Sequence, residues 1–205
     1  MNPAVEAERR VLEGRFVRLR PLVPADAEQT LAWRLDPRAH LLNRGAETPA
    51  QQRSWIERRP DSELNYVIER SDGVPLGMLS LVDIDFGNGR AEPARFLIGD
   101  EEGAKGIPAA VEAMKLLYEM AFDRLGLSRL YGTVVEDNTL MLTWQRYLGM
   151  REEGRLRRHL RIGGRLQDVV CLGLLENEYR TTSLPRMRAL IAMAARPQPP
   201  QENER

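Results

Sequence analysis

The spacing of apolar residues along the chain switches between every second position and every third or fourth, and each switch marks an element. Phe16-Val17-Arg18-Leu19-Arg20 alternates apolar and basic residues, which predicts a strand. Residues 24–35 carry Ala27, Leu31 and Leu35 at helical spacing and stop before Pro37. Thr48-Pro49-Ala50-Gln51 is a strong helix start. Thr48 can cap, Pro49 suits the first turn, Gln51 holds the capping-box position, and Trp55 and Ile56 then face inward. Residues 65–70 and 78–84 read as strands joined through the turn Ser71-Asp72-Gly73, and 95–99 as a strand beyond the turn Gly87-Asn88-Gly89. The strongest helical stripe is Val111, Met114, Tyr118, Ala121, Phe122 and Leu125, closed by Gly126. Then come a strand at 130–136, a cap at Asp137-Asn138-Thr139, a short helix ending at Gly149, and two alternating runs, 157–162 and 165–175, around Gly163-Gly164. Leu184, Met187, Leu190 and Ile191 form a last stripe, suited to pack onto the domain or onto a second copy.

This order predicts an α+β chain with a single mixed, mostly antiparallel, splayed sheet and helices on both faces. Residues 1–12 read as a flexible N-terminus, 13–176 as the domain, and 177–205 as a C-terminal helix and proline-rich tail. With 205 residues, 42% of them hydrophobic, the chain can bury one sizeable core. Thirty Lys+Arg balance thirty Asp+Glu, which argues against a nucleic-acid binder. No apolar run spans a membrane and the first residues lack a secretory pattern, so no membrane partner is expected. The one cysteine, Cys171, reads as core, no metal centre is expected, and the predicted location is cytoplasmic. Only Lys105 and Lys115 are lysines, so each stands out.

Lys105 sits in Gly103-Ala104-Lys105-Gly106-Ile107-Pro108, a glycine-containing turn between a strand and the best helix. Such a turn can cradle phosphate through converging N–H groups and the helix dipole. It is neither a Walker A loop nor a dinucleotide fingerprint. Four segments in order resemble the GNAT superfamily of acetyl-CoA-dependent N-acetyltransferases over roughly residues 13–176. They are 14–22, the stretch Ile98-Gly99-Asp100-Glu101-Glu102-Gly103 running into the turn, Val135-Glu136-Asp137-Asn138 with Tyr147-Leu148-Gly149-Met150, and the hairpin 155–175. They look most like the branch of ribosomal-protein alanine and amino-sugar-nucleotide N-acetyltransferases.

The resemblance implies an acetyl-CoA-dependent N-acetyltransferase that transfers directly to a primary amine. The acceptor would be a small molecule such as an amino-sugar nucleotide, or a protein N-terminus. Other readings are a non-catalytic CoA-binding or interaction module, or an enzyme using a longer acyl-CoA or an acyl-carrier protein. Under the resemblance Leu97 and Ile98 would offer backbone groups to the pantetheine arm. Gly103 and the N–H groups of Ala104, Lys105, Gly106 and Ile107 would form the pyrophosphate loop, and Asn138 would bond the cofactor near its reactive end. The family loop follows Q/R-x-x-G-x-G/A; here its ends are Gly103 and Pro108, and proline offers no N–H. Where the family often has a tyrosine acid, seven residues after the asparagine, this chain has Gln145, which cannot act as a general acid at neutral pH.

On the acceptor side, Asp83 and Asp85 share one strand face by their spacing and are candidate bases. His159 has a pKa range suited to taking a proton, and Trp33 and Arg34 are candidates to line an acceptor cleft. Arg155, Arg157, Arg158, Arg161 and Arg165, with no acid among them, suit a phosphorylated acceptor or an acidic partner, or else guard an exposed strand edge. A homodimer is a further expectation.

Overall fold

Alternation at residues 17–21 buries Val17 and Leu19 completely and makes strand β2 of one sheet. The computed structural model describes residues 2–42 and 45–195. Among them the strands are β1 (Leu12–Glu13), β2 (Val17–Pro21), β3 (Leu64–Arg70), β4 (Pro75–Asp85), β5 (Arg90–Ile98), β6 (Arg129–Val135), β7 (Arg151–Ile162) and β8 (Arg165–Leu175). Their order in the sheet is β1-β2-β3-β4-β5-β6-β8-β7. Every pairing is antiparallel except β5 with β6. The longer helices are α2 (Ala27–Leu35), α3 (Pro49–Glu57), α4 (Ala109–Glu119), α5 (Thr139–Tyr147) and α7 (Leu184–Ala194); α1 (Pro3–Ala7) and α6 (Glu176–Glu178) are single turns.

Helices cover both sheet faces because the strands are apolar on both. In β3, Tyr66 and Ile68 join the main core with α4, whereas Val67 between them points to a second cluster with Leu22, Ala27, Trp33 and Ile56. Helix α3 begins as its sequence dictates: Thr48 Oγ1 accepts from the Gln51 N–H (3.3 Å), and Gln51 Oε1 accepts from the Thr48 N–H (3.2 Å).

The chain start is docked, contrary to the expectation of a flexible end. Asn2 caps α1, Val5 is buried, and the Tyr66 hydroxyl donates to the Glu8 carbonyl. Buried Glu8 also pairs with Arg124 (3.1 Å). At the other end, Leu184 and Met187 pack into the main core, while Leu190 and Ile191 of the same stripe stay half-buried. The proline-rich tail lies outside the described residues.

The seam between β5 and β6 positions the site. Ser128 and Arg129 both donate backbone N–H bonds to the Gly89 carbonyl (2.8 and 3.1 Å), pinning the two strand starts together. The ladder then holds two pairs, Arg90 with Arg129 and Ala91 with Leu130, and stops. Beyond Ala91 the strands part into a V, with β5 still held on its other side by β4 through Leu97 opposite Met78 and Ile98 opposite Gly77.

Candidate active site

The V opens into a cleft of about 460 Å³. Its walls come from β5 (Glu92, Ala94, Arg95, Phe96), β6 (Thr133, Val134, Val135), α5 and its cap (Asn138, Met141, Gln145), and Arg34, Gln52 and Trp55 from α2 and α3. Leu160 of the β7–β8 hairpin reaches its mouth. An irregular backbone shapes β5: Arg95 has φ +55°, and its register against β4 slips between Met78 and Ser80. Phe96 stacks on Trp144 of α5, centroids 5.0 Å apart, which ties β5 to α5 next to the cleft.

Among the described residues lining the cleft, Glu92 is the one carboxylate. It lies against Gly132 of β6, whose absent Cβ would stand 3.4 Å from Glu92 Oε1. Burial holds its carboxyl above the usual carboxylate range. The negative charge of Asp83 adds to that, while a bond from the Thr133 N–H and the charge of Arg95 oppose it. A carboxyl of this kind, in a cleft, is suited to move a proton.

The rest of the lining is partly cationic and aromatic. The Arg95 guanidinium bonds Glu63 (2.8 Å) and Asn65 (3.1 Å) and lies over the Trp55 ring at 5.2 Å. Arg59 lies over the same ring at 5.3 Å, its own pKa pulled down to about 10 by burial. Arg34, in the last turn of α2, is held below its usual range by burial and then by the like charge of Arg95.

Of the residues singled out in the sequence, Arg34, Asn138 and Gln145 line this one cleft. Asn138 caps α5, its Oδ1 accepting from the Met141 N–H at 3.2 Å. Gln145 is buried, its Oε1 accepting from the Tyr118 hydroxyl at 3.4 Å. Leu97 and Ile98 continue the β5 edge just past Phe96.

Four expected residues stand off the cleft wall. Asp83 is exposed with φ +50°, and the β4 register slips between Val82 and Asp85, so the regular two-residue spacing fails there. Asp85 accepts from the Asn88 N–H (3.0 Å) and side-chain amide (2.6 Å), which keeps its pKa low and makes it a turn lock. Trp33 is buried in the second cluster beneath Gly99, where a Cβ would fall on the indole. His159 lies with Arg155, Arg157 and Arg158 around an open concavity of about 810 Å³ on the hairpin. There the strand bulges, Arg158 has φ +52°, and the Arg158 N–H donates to Asp168 Oδ1 at 2.7 Å.

The loop 103–107 closes on itself. Asp100 accepts from Gly103 (2.9 Å) and Ala104 (3.1 Å), Glu102 from Lys105 (3.2 Å), and Ala104 from Ile107 (3.3 Å). Gly103 is required by this arrangement, since a Cβ would fall on the Asp100 carboxylate. Gly106 has φ +79° with open space where a Cβ would point. Lys105 and Gly106 are the exposed part of the loop, and the Lys105 ammonium stands 3.5 Å from the Glu102 carboxylate.

Known proteins with the same features bear on this geometry. The family described as "Acetyltransferase (GNAT) domain" matches residues 17–151. The spermidine N(1)-acetyltransferase of Escherichia coli is 29% identical over 171 residues, covering 80% of this chain and 88% of that protein. A GCN5-related N-acetyltransferase from Brucella melitensis superposes with TM-score 0.75 at 27% identity, over 92% of this chain and 86% of that one. Mycobacterium smegmatis RimJ, solved with CoA-disulfide, superposes with TM-score 0.71 at 25% identity, over 88% and 91%. The family match runs from β2 through α5 and takes in both arms of the V. The chain therefore belongs to the GNAT acetyltransferase family, enzymes that take an acetyl group from acetyl-CoA and pass it to an amine.

Proposed function

We propose that this chain acetylates a primary amine by direct transfer in the cleft between β5 and β6, with Glu92 accepting the proton that the amine must lose. The observation that carries this reading is Glu92 itself, a half-buried carboxyl at the opening of the V whose pKa is raised by burial. An amine attacks a thioester only as the free base, so a group that removes its proton beside the reaction centre raises the rate. Asp83 and Asp85 stand outside the cleft lining, and Asp83 then acts on Glu92 through its charge alone.

In this reading the free edge of β5 around Leu97 and Ile98, the exposed side of the loop at Lys105 and Gly106 with the start of α4, and Asn138 hold acetyl-CoA, while the N–H groups of Gly103, Ala104, Lys105 and Ile107 keep the loop in shape. When bound, that molecule supplies the acetyl group as a thioester. The two sheet arms orient it and the aromatic pair Phe96–Trp144 limits water beside it. Gln145 donates a hydrogen bond from its amide and leaves protonation of the departing thiolate to solvent, which a thiol with pKa ~8.5 tolerates.

The test is the pH profile of kcat/KM for a simple primary amine. The wild type is expected to gain activity as pH rises through a raised carboxyl range. Glu92→Gln is expected to lower kcat/KM by about 10²–10⁴ and to abolish that limb. A variant with wild-type rates and an unchanged limb would remove Glu92 from the reaction.

A further inference from the structure

We propose that Tyr118 is a positioning residue for the acetyl transfer: through its bond to Gln145 it fixes that amide so that the Nε2–H faces the cleft and donates to the sulfur of acetyl-CoA as the thiolate forms. The proposal rests on the reading of the cleft given above and adds to it a residue buried behind the wall.

The first support is the two ends of the Gln145 amide. Gln145 lines the cleft from α5 and is buried. Its Oε1 accepts from the Tyr118 hydroxyl at 3.4 Å. Among the described residues its Nε2 meets only the Met141 thioether, at 3.8 Å. Thioether sulfur is a weak acceptor, so this buried N–H gains from a better one. Met141 lines the same cleft, which puts the Nε2 end of the amide on the side where the thioester would lie.

The second support is what holds Tyr118. The residue sits on α4 with no exposed surface. Phe122 and Tyr179 meet its ring edge-on, at 6.4 and 6.1 Å, and stack on each other at 4.7 Å. A ring clamped in this way keeps its hydroxyl in one place. Gln145 is the one hydrogen-bond partner of that hydroxyl among the described residues. Tyr179, in the same aromatic nest, has a buried hydroxyl with no partner. The nest does not satisfy phenols in general, and the bond from Tyr118 is a specific one.

The third support is the position of Gln145 in the chain, where the resemblance places a tyrosine acid. An amide has no proton to give at neutral pH, but it can donate a hydrogen bond to developing negative charge. A donor already oriented needs no rearrangement when that charge forms. The last side-chain torsion of glutamine is soft, so an anchored oxygen decides where the N–H points.

The test is a double-mutant cycle with acetyl-CoA and a simple primary amine, both at saturation. Tyr118→Phe removes one oxygen and is expected to lower kcat about five- to tenfold, with KM for acetyl-CoA within about twofold. Gln145→Leu is expected to lower kcat at least as much. In the Gln145→Leu background Tyr118→Phe is expected to cost less than about twofold, because the amide it orients is gone. A larger loss in that background would make Tyr118 a packing residue and overturns the proposal, as does wild-type kcat in either single variant. Should Tyr118→Phe not fold, Gln145→Asn replaces it, since the amide stays but the shorter side chain no longer reaches Tyr118. It is expected to lose kcat to the same extent, and wild-type kcat there overturns the proposal. Lost turnover in Glu92→Gln with unchanged kcat across the Tyr118 and Gln145 variants would leave the base assignment standing and this inference fallen. Unchanged rates in Glu92→Gln with the cycle as expected would do the reverse.

Discussion

Two glutamates, one buried and one half-buried, make opposite use of the same side chain. Glu112, in the first turn of α4, is 4% exposed and accepts three backbone bonds, from Arg15 (2.8 Å), Phe16 (2.7 Å) and Val17 (2.9 Å). Gly14 closes this cup, since a Cβ there would crowd both the Val17 carbonyl and the Glu112 carboxyl. Glu92, at the opening of the V, has one backbone donor, from Thr133, and a like charge nearby at Asp83. The number of donors decides the role. A saturated carboxylate is a joint that fixes the entry to β2 against the helix behind the loop 103–107. A carboxylate left short of donors stays available to a ligand.

The sharpest way to break this comparison is to neutralise each member. Glu92→Gln is expected to cost the 10²–10⁴ in kcat/KM given above, with the fold intact. Its folded carboxyl keeps its proton to higher pH than the unfolded chain does. Ionising it therefore costs stability as pH rises from the ordinary carboxylate range through the raised one. Melting curves above that window should show Glu92→Gln as stable as wild type or more so; a clear drop would make Glu92 a second joint. Glu112→Ala should behave the other way, losing ~3 kcal/mol in urea denaturation because three backbone donors are left buried. Its folded fraction should retain its turnover, and loss of turnover at full stability would contradict the division. The smallest effect belongs to Asp83→Asn. Removing that charge should move the acidic limb of the rate profile to lower pH and change the maximal rate by less than about threefold.

Much of the frame was legible in the residues. Thr48 and Gln51 announced α3, Asn138 announced α5, and Gly163-Gly164, at φ +55° and +82°, announced the hairpin turn. Glu92 was missed because Arg90-Ala91-Glu92-Pro93 looks like the end of a polar turn, and β5 was expected to begin at 95. The overlooked signal is Pro93. A proline within a strand implies a ladder that can do without one N–H, hence a strand with an open side. Strand β7 also starts earlier than expected, at Arg151, since Arg151-Glu152-Glu153-Gly154 has no alternation to show. The edge is held there by ion pairs such as Arg151–Glu178 (2.9 Å) and Arg129–Glu153. Glu112 and Glu8 resembled ordinary surface acids because their partners lie about a hundred residues away in the chain.

An open sheet ordinarily has two borders, and both must be guarded against pairing with a stray strand. By letting go of β6 after Ala91, β5 gives this sheet a third border in its interior, where α5, the Phe96–Trp144 stack and the helices around Arg34 keep other chains away. Amide groups there should exchange with solvent like those of a rim strand while their neighbours on β4 exchange like a core. The protein thus keeps an unpaired backbone edge in reserve without exposing it to the aggregation that such edges invite.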